Sequence, residues 1–403
     1  MNTLNIIMLI PQLGYGGAEK SFVRLANYLS AYHNITIVLF DKNFGAKYSA
    51  NSANNINETI QIKILSSNKN PVIRWYKRWS EFRRLKKEAD ISISFLSGTN
   101  MLNVFTFTST PAIVSERGSK KYDFLITGWK RTLWLKILDP LIYRMSDNIV
   151  SVSKGLSSEI LENRGHLIGK VTTIEGYIDS KKLVSQSRES VDETFNKFKN
   201  YPTLVTAGRL SKQKGYEHLL YAFREVKKSV PDSKLLLIGD GPEEIRLKNI
   251  CKSLGLKYSS NLSDIHEIDI FFAGYQKNPI RFFKLGRVFV FPSLYEGLPN
   301  ALIEALASGV PTLAADCPWG SKSVLNVNET IDTLPTKSYN CLLMPIINSD
   351  EGKKIWADSM VKFLESPLEK YDEEHSLKHI QRFDLSNTGK SWLELLEKLG
   401  KEK

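Results

Sequence analysis

The fold expected from this chain is α/β, with two doubly wound halves. Three features point to it. Short β-rich runs alternate with helical patterns, the alternation restarts after residue 200, and a polar, charged stretch at 180–201 separates the two series. Alternation of this kind implies parallel sheets covered on both faces. The length of 403 residues suits two domains of roughly 150–200 residues each.

In chain order, residues 4–10 read as a buried strand, a glycine turn follows, and residues 18–31 read as an amphipathic helix. Further strands are expected at 35–40, 91–95, 112–115 and 148–152. In the second series, strands at 203–207, 234–238, 268–273, 288–292 and 312–315 alternate with helices at 216–229, 243–254 and 301–308. This places a first domain at 1–185, a second at 200–383 and a last helix at 384–403. That helix is expected either to cap the second domain or to cross back to the first. Two such halves create a cleft between them, and ligands bind at the carboxyl ends of the strands.

With 42% hydrophobic and 24% charged residues, the composition is that of an ordinary globular protein. A formal charge of +12 draws the chain toward something anionic: nucleic acid, a membrane surface or a phosphorylated small substrate. The three cysteines, Cys251, Cys317 and Cys341, form no CxxC pair, which argues against a zinc site or a disulfide framework and fits a reducing compartment. The N-terminus does not read as a signal peptide. No apolar stretch approaches the ~20 residues that span a bilayer, so membrane contact is expected to be peripheral.

Three segments carry candidate chemistry. Gly14-Tyr15-Gly16-Gly17-Ala18-Glu19 follows a strand and opens a helix, an arrangement that suits a phosphate but lacks the GxGxxG spacing of a dinucleotide site. In Gly208-Arg209-Leu210-Ser211-Lys212-Gln213-Lys214-Gly215, Arg209 and Lys214 stand at a strand's carboxyl end and suit a diphosphate. The strongest segment runs from Phe291 to Ala305. It reads as strand end, tight loop and helix, with Glu296 in the loop and Glu304 on the helix. Such a helix start offers free N–H groups to a phosphate while the carboxylates accept from sugar hydroxyls. Apolar neighbours on every side imply that Glu304 is largely buried and needs partners.

At this point the chain resembles the retaining family-four glycosyltransferases of the GT-B fold. The resemblance rests on the E-x7-E pattern Glu296…Glu304 within FPSLYEGLPNALIEALASGVPTLAADCP, on GRLSKQKG, LLLIGDGPE and GGAE, and on Phe272-Ala273-Gly274-Tyr275, all in order. It covers nearly the whole chain. It implies that Gly16 and Gly17 approach the donor, that Arg209 and Lys214 neutralise its diphosphate, and that Gly274 and Tyr275 meet the base. By the same resemblance Glu296 binds the transferred sugar, Gly297, Leu298 and Asn300 offer donors to phosphate and sugar, and Glu304 holds the ribose. A UDP-sugar donor, no cofactor and no metal are implied. Many members carry a first-domain histidine, whereas His33 and His166 here lie outside any matching loop. The loops at 97–100 and 115–117 are the expected cleft-facing ones, with Glu116 or Arg117 handling the acceptor.

Two basic segments interleaved with aromatics, residues 74–87 and 120–136, suit an anionic bilayer surface. They point to a lipid-linked or polysaccharide-precursor acceptor and to a cytoplasmic enzyme held on the inner face of the membrane. The plainer alternative is an amphipathic helix whose aromatics pack inward. The rival functions are an inverting transferase or epimerase on the same fold, a catalytically dead scaffold, and a nucleic-acid-binding protein. The last leaves Glu296 and Glu304 unexplained.

Overall fold

The computed structural model describes residues 2–14, 16–40, 56–122, 127–262, 265–327, 334–366 and 373–401. Tyr15 of the glycine turn and residues 123–126 of the second basic segment lie outside them. The chain divides into two compact units, one of Met1–Ile178 with Phe383–Lys403, the other of Asp179–Arg382.

The first unit holds a seven-stranded sheet, ordered β3-β2-β1-β4-β5-β6-β7. Its strands are β1 (Asn5–Ile10), β2 (Asn34–Leu39), β3 (Gln61–Ile64), β4 (Ile91–Phe95), β5 (Ala112–Glu116), β6 (Asn148–Ser151) and β7 (Val171–Thr173). All pairs are parallel, with Asn5 opposite Asn34 and Ile6 opposite Ile91. The chain winds outward from β1 to β3 and returns to place β4 beside β1, which makes the β1/β4 edge the topological switch point. Alternation sends Ile6, Met8 and Ile10 to one face and Ile7 and Leu9 to the other. The first face packs against Phe22, Leu25, Ala26 and Leu29 of helix Gly17–Leu29 and against Trp392, Leu396 and Leu399 of helix Leu385–Lys401. The terminal helix therefore belongs to the first unit.

The second unit repeats the plan with eight strands, ordered β10-β11-β9-β8-β12-β13-β15-β14. They are β8 (Thr203–Ala207), β9 (Lys234–Ile238), β10 (Tyr258–Ser259), β11 (Ile270–Phe272), β12 (Val288–Phe291), β13 (Thr312–Ala315), β14 (Thr336–Ser338) and β15 (Cys341–Met344). β14 alone runs antiparallel, at the edge. The switch point falls between β8 and β12. Residues 180–201, expected as a linker, instead form helices Ser180–Ser187 and Glu193–Asn196 and a 3₁₀ turn, Lys197–Asn200, that buries Phe198 within this unit.

The first basic segment is helix Pro71–Lys87, capped by Asn70. Its aromatics divide, with Tyr76 65% exposed and the others turned inward. Phe82 is fully buried, and Trp75 and Trp79 pack against the core. Several of its cations are also used internally. Arg78 donates to the Phe40 carbonyl at 2.7 Å, Arg83 to Thr106 at 3.0 Å and Lys86 to Asn103 at 2.7 Å. Burial lowers the Lys86 ammonium to about 8. Inward packing describes Trp75, Trp79 and Phe82, while Tyr76, Lys77, Arg84 and Lys87 face solvent.

At the end of β5, Glu116 also turns inward. One of its oxygens accepts from Asn100 at 3.1 Å and from Lys120 at 3.3 Å, and Lys120 reaches Asp139 at 2.6 Å. Glu116 is therefore a buried acid already engaged by Asn100 and Lys120. Lys120 is likewise removed from the basic surface. Burial alone would lower the Lys120 ammonium, yet the two carboxylates hold it above its ordinary value. Burial, opposed by Lys120 and Arg164 and aided by Glu116, pushes Asp139 up from 3.8 to about 6. Between those limits the folded protein keeps a proton that the unfolded chain releases, so this group removes stability as pH rises through that window. The expected result is that Asp139→Asn gains stability relative to the parent between about pH 4 and 6, as read from melting temperatures on both sides of the window.

Candidate active site

In the second unit, β8 and β12 end side by side at the switch point, and the loops that leave them build the candidate site. The first loop tightens into a 3₁₀ turn, Lys212–Lys214, and ends at Gly215, which has left-handed φ of 67°. A β-carbon on Gly215 would lie 2.2 Å from the Pro292 carbonyl oxygen, so only glycine lets the two loops meet. Leu294 N–H then donates to the Gln213 carbonyl at 2.8 Å.

This contact sets Lys214 against Glu296. Lys214 Nζ lies 2.5 Å from Glu296 Oε1, with both side chains largely buried. Gln213 Nε2 donates to the Tyr295 carbonyl at 2.8 Å and to Glu296 Oε2 at 3.3 Å. Lys214 also sits 5.6 Å above the Phe291 ring. Gln213 is the brace that sequence reading left without a role. Its place between Lys212 and Lys214 in GRLSKQKG is visible in the sequence, but its partner is not.

Gly297 is buried behind Glu296, and Leu298 is half-buried. Asn300 is the first residue of helix Asn300–Ser308, which Pro299 precedes without a side-chain cap. The Leu302 and Ile303 N–H groups donate to the Pro299 carbonyl at 3.0 and 3.2 Å, which leaves those of Asn300 and Ala301 without a cap. Glu304 lies one turn further along and is half-buried rather than deeply buried, because the apolar neighbours occupy the opposite side of the helix. Arg209 is exposed beyond β8. Among the described residues no hydrogen bond or ion pair joins Arg209 or Glu304 to the Lys214–Glu296 pair. Gly274 follows β11 in a left-handed turn with φ of 64°, accepts from Gly239 N–H at 2.8 Å, and precedes the half-buried Tyr275. Trp319 is held at φ of 70° in the half-buried loop after β13, and the preceding Pro318 carbonyl accepts from Glu296 N–H. Burial pushes the neighbouring Cys317 thiol up to about 12.

The first unit carries its own set at the carboxyl ends of β1, β4 and β5. Gly16 precedes helix Gly17–Leu29, and Glu19, three residues on, folds back over it. A β-carbon on Gly16 would lie 2.2 Å from Glu19 Oε2. The space that this glycine provides is thus taken by the Glu19 carboxylate at the helix start. Arg117, just past β5, lies between two rings, 5.2 Å from Phe95 and 4.9 Å from Tyr177. Its Nη1 is buried with no hydrogen-bond partner among the described residues. Burial lowers its basicity. Tyr177 in turn accepts from Trp392 Nε1 at 3.0 Å. A cavity of about 350 Å³ in this unit is lined by Lys120, Tyr143, Glu159 and Arg164, and by none of the expected site residues. Among the described residues no group of three or more His, Cys, Asp or Glu could hold a metal ion.

Residues 187–333 match the model of glycosyl transferases group 1. An uncharacterized glycosyltransferase of Methanocaldococcus jannaschii is 29% identical over 68% of this chain and 69% of its own. A Campylobacter jejuni enzyme, named as an N-acetylgalactosaminyltransferase acting on a diacetylbacillosaminyl-diphospho-undecaprenol glycan, is 23% identical over 80% of this chain and 83% of its own. Among solved structures, HepE of Anabaena in complex with UDP superposes with a TM-score of 0.73 at 15% identity, covering 98% of this chain and all of that one. Residues 187–333 thus carry the glycosyl transferases group 1 pattern, and the chain is a glycosyltransferase with the two Rossmann-like units of the GT-B fold.

Proposed function

We propose that the chain transfers a hexose or N-acetylhexosamine from a UDP-sugar to a lipid-linked or polysaccharide-precursor acceptor, with retention of anomeric configuration and without a metal. The observation that carries this reading is the Lys214–Glu296 pair, braced by Gln213 beside the uncapped start of helix Asn300–Ser308. A cation and free helix N–H groups suit a diphosphate, and a carboxylate beside them suits sugar hydroxyls. The acceptor hydroxyl attacks the anomeric carbon, the bond to the diphosphate breaks, and the hydroxyl proton passes to a donor phosphate oxygen. Lys214 and the exposed Arg209 stabilise charge developing on the leaving diphosphate. Glu296 orients the transferred sugar, with Gly297, Leu298 and Asn300 beside it. Glu304 takes the ribose, and Gly274 and Tyr275 take the base. In the first unit Arg117, not Glu116, is assigned to the acceptor.

The Campylobacter relative's undecaprenol-linked substrate and the net charge of +12 support an acceptor presented at an anionic membrane, on its cytoplasmic side. No helix among the described residues is long and apolar enough to cross a membrane. The test is a panel of nucleotide sugars scored by thermal shift and by transfer to a diphosphate-lipid-linked saccharide, with the product's anomeric configuration read by NMR. At a hundredfold excess over its Kd, the true donor should stabilise the fold by about 2.7 kcal/mol, and turnover should survive EDTA. If no nucleoside-diphosphate sugar stabilises the protein, the reading fails. An inverted product removes the retaining assignment.

A further inference from the structure

Helix 128–145 carries a straight apolar row of which four members stay exposed among the described residues. The helix is continuous but changes pitch: Gly128–Leu133 is α-helical, Trp134–Leu138 is a π turn, and Asp139–Met145 is α-helical again. The π turn ends two residues before Pro140, which has no N–H to give to the ladder, and Asp139 N–H reaches back five residues to the Trp134 carbonyl.

That turn matters for what the helix shows to solvent. Trp129, Leu133, Ile137, Leu141 and Met145 recur every fourth residue. On an unbroken α-helix each such step overshoots a full turn by about 40°, so four steps would wind the row by about 160°. The extra residue of the π turn sets the row back by about 100°. The five side chains therefore stay within roughly a third of the circumference. Trp129 is 72% exposed, Ile137 51%, Leu141 43% and Met145 39%.

Among the described residues, the exposed charges on the helix itself have one sign. Lys130, Arg131, Lys136 and Arg144 are exposed beside it. The single acid within residues 127–146 is Asp139, and it is buried against Lys120. An apolar ridge flanked by cations, with no exposed acid on the helix itself, fits an anionic bilayer interface and repels a basic partner, including a second copy of this chain. We propose that helix 128–145 is the surface that docks the enzyme on an anionic membrane, with Trp129, Ile137, Leu141 and Met145 entering the headgroup region. The inference rests on the membrane-presented acceptor proposed above and adds the face that meets it.

Flotation of the full chain with phosphatidylcholine vesicles, with and without phosphatidylglycerol, tests the proposal. Ile137→Asp combined with Leu141→Asp should lower binding to anionic vesicles roughly tenfold or more. Ile245→Asp, at a 77% exposed position of the second unit, should not. Because Cys251, Cys317 and Cys341 are buried, a polarity-sensitive thiol label can be directed to Ile137→Cys or to Ile245→Cys. Emission from position 137 should shift blue on anionic vesicles while emission from 245 stays unchanged. Equal flotation of parent and double variant, or a label at 137 that remains in water while the protein floats, overturns the assignment of this face but leaves the membrane reading intact. A parent that floats on neither vesicle overturns both. A ridge that instead mediates self-association would show as a parent dimer dissolved by the double variant, with vesicle binding unaffected, and would also overturn the proposal. Donor-induced thermal stabilisation retained by the double variant confirms that the charges have not disrupted the fold.

Discussion

Lys214→Met lowers kcat by about 10²–10³-fold, the range found when one group that stabilises developing negative charge is removed. Methionine keeps the length and the contact over Phe291 but removes the charge placed beside the leaving diphosphate. A structural effect accompanies the catalytic one. Glu296 is only 8% exposed, and without Lys214 it becomes a buried carboxylate lacking its cation. Breaking one side of such a pair destabilises by about 3–5 kcal/mol, whereas replacing both sides is often close to neutral. The two effects separate in a cycle with Glu296→Gln. Lys214→Met alone loses both stability and turnover. The double variant, with a neutral amide facing a neutral side chain, should recover most of the melting temperature and none of the turnover. Recovery of kcat in the double variant would show that Lys214 only holds Glu296 in place, and the diphosphate role would be lost.

The parts of this fold that the sequence discloses are those set by local pattern. β1 and β12 are near-continuous apolar runs because both faces of a central parallel strand are buried, and β4 and β8 add only small hydroxyl residues, so all four stand out against amphipathic helices. The edge strands do not. β3 reads Gln-Ile-Lys-Ile and β14 reads Thr-Lys-Ser, since an edge keeps polar residues toward solvent. The site divides in the same way. Lys214, Glu296 and the helix start at Asn300 follow from spacing along the chain. The Gln213 brace and the Glu19 carboxylate over Gly16 depend on how a backbone turns or which loops meet, and spacing does not encode that. Basic composition was the least dependable guide. Arg78, Arg83, Lys86 and Lys120 look alike in sequence to Lys130, Lys136 and Arg144, yet the first four bind carbonyls or carboxylates within the unit. Only the second three remain exposed.

Trp392→Ala should produce the largest loss of stability in the first unit. The indole is fully buried among the residues of the main core, and its Nε1 donates to Tyr177 at 3.0 Å. Truncating a buried tryptophan typically costs about 3–5 kcal/mol, which in a unit of this size lowers the melting temperature by roughly 10 °C. The site cannot collapse easily, because helix Leu385–Lys401 is already in close contact there: a β-carbon on Gly389 would lie 2.4 Å from the Tyr28 ring. Trp392→Phe keeps most of the apolar volume and loses only the N–H donor, so its expected cost is about 1 kcal/mol. The two variants also differ in what they do to Arg117. Tyr177 forms one wall of the ring pair around that guanidinium, so losing its Trp392 contact should raise the acceptor KM in both variants while leaving donor-induced stabilisation of the second unit unchanged. Purely structural damage would lower kcat for every substrate in proportion to the folded fraction. A chain ending at Arg382 that melts like the parent would show that the terminal helix is dispensable to the first core, and the coupling from Trp392 through Tyr177 to Arg117 would fall with it.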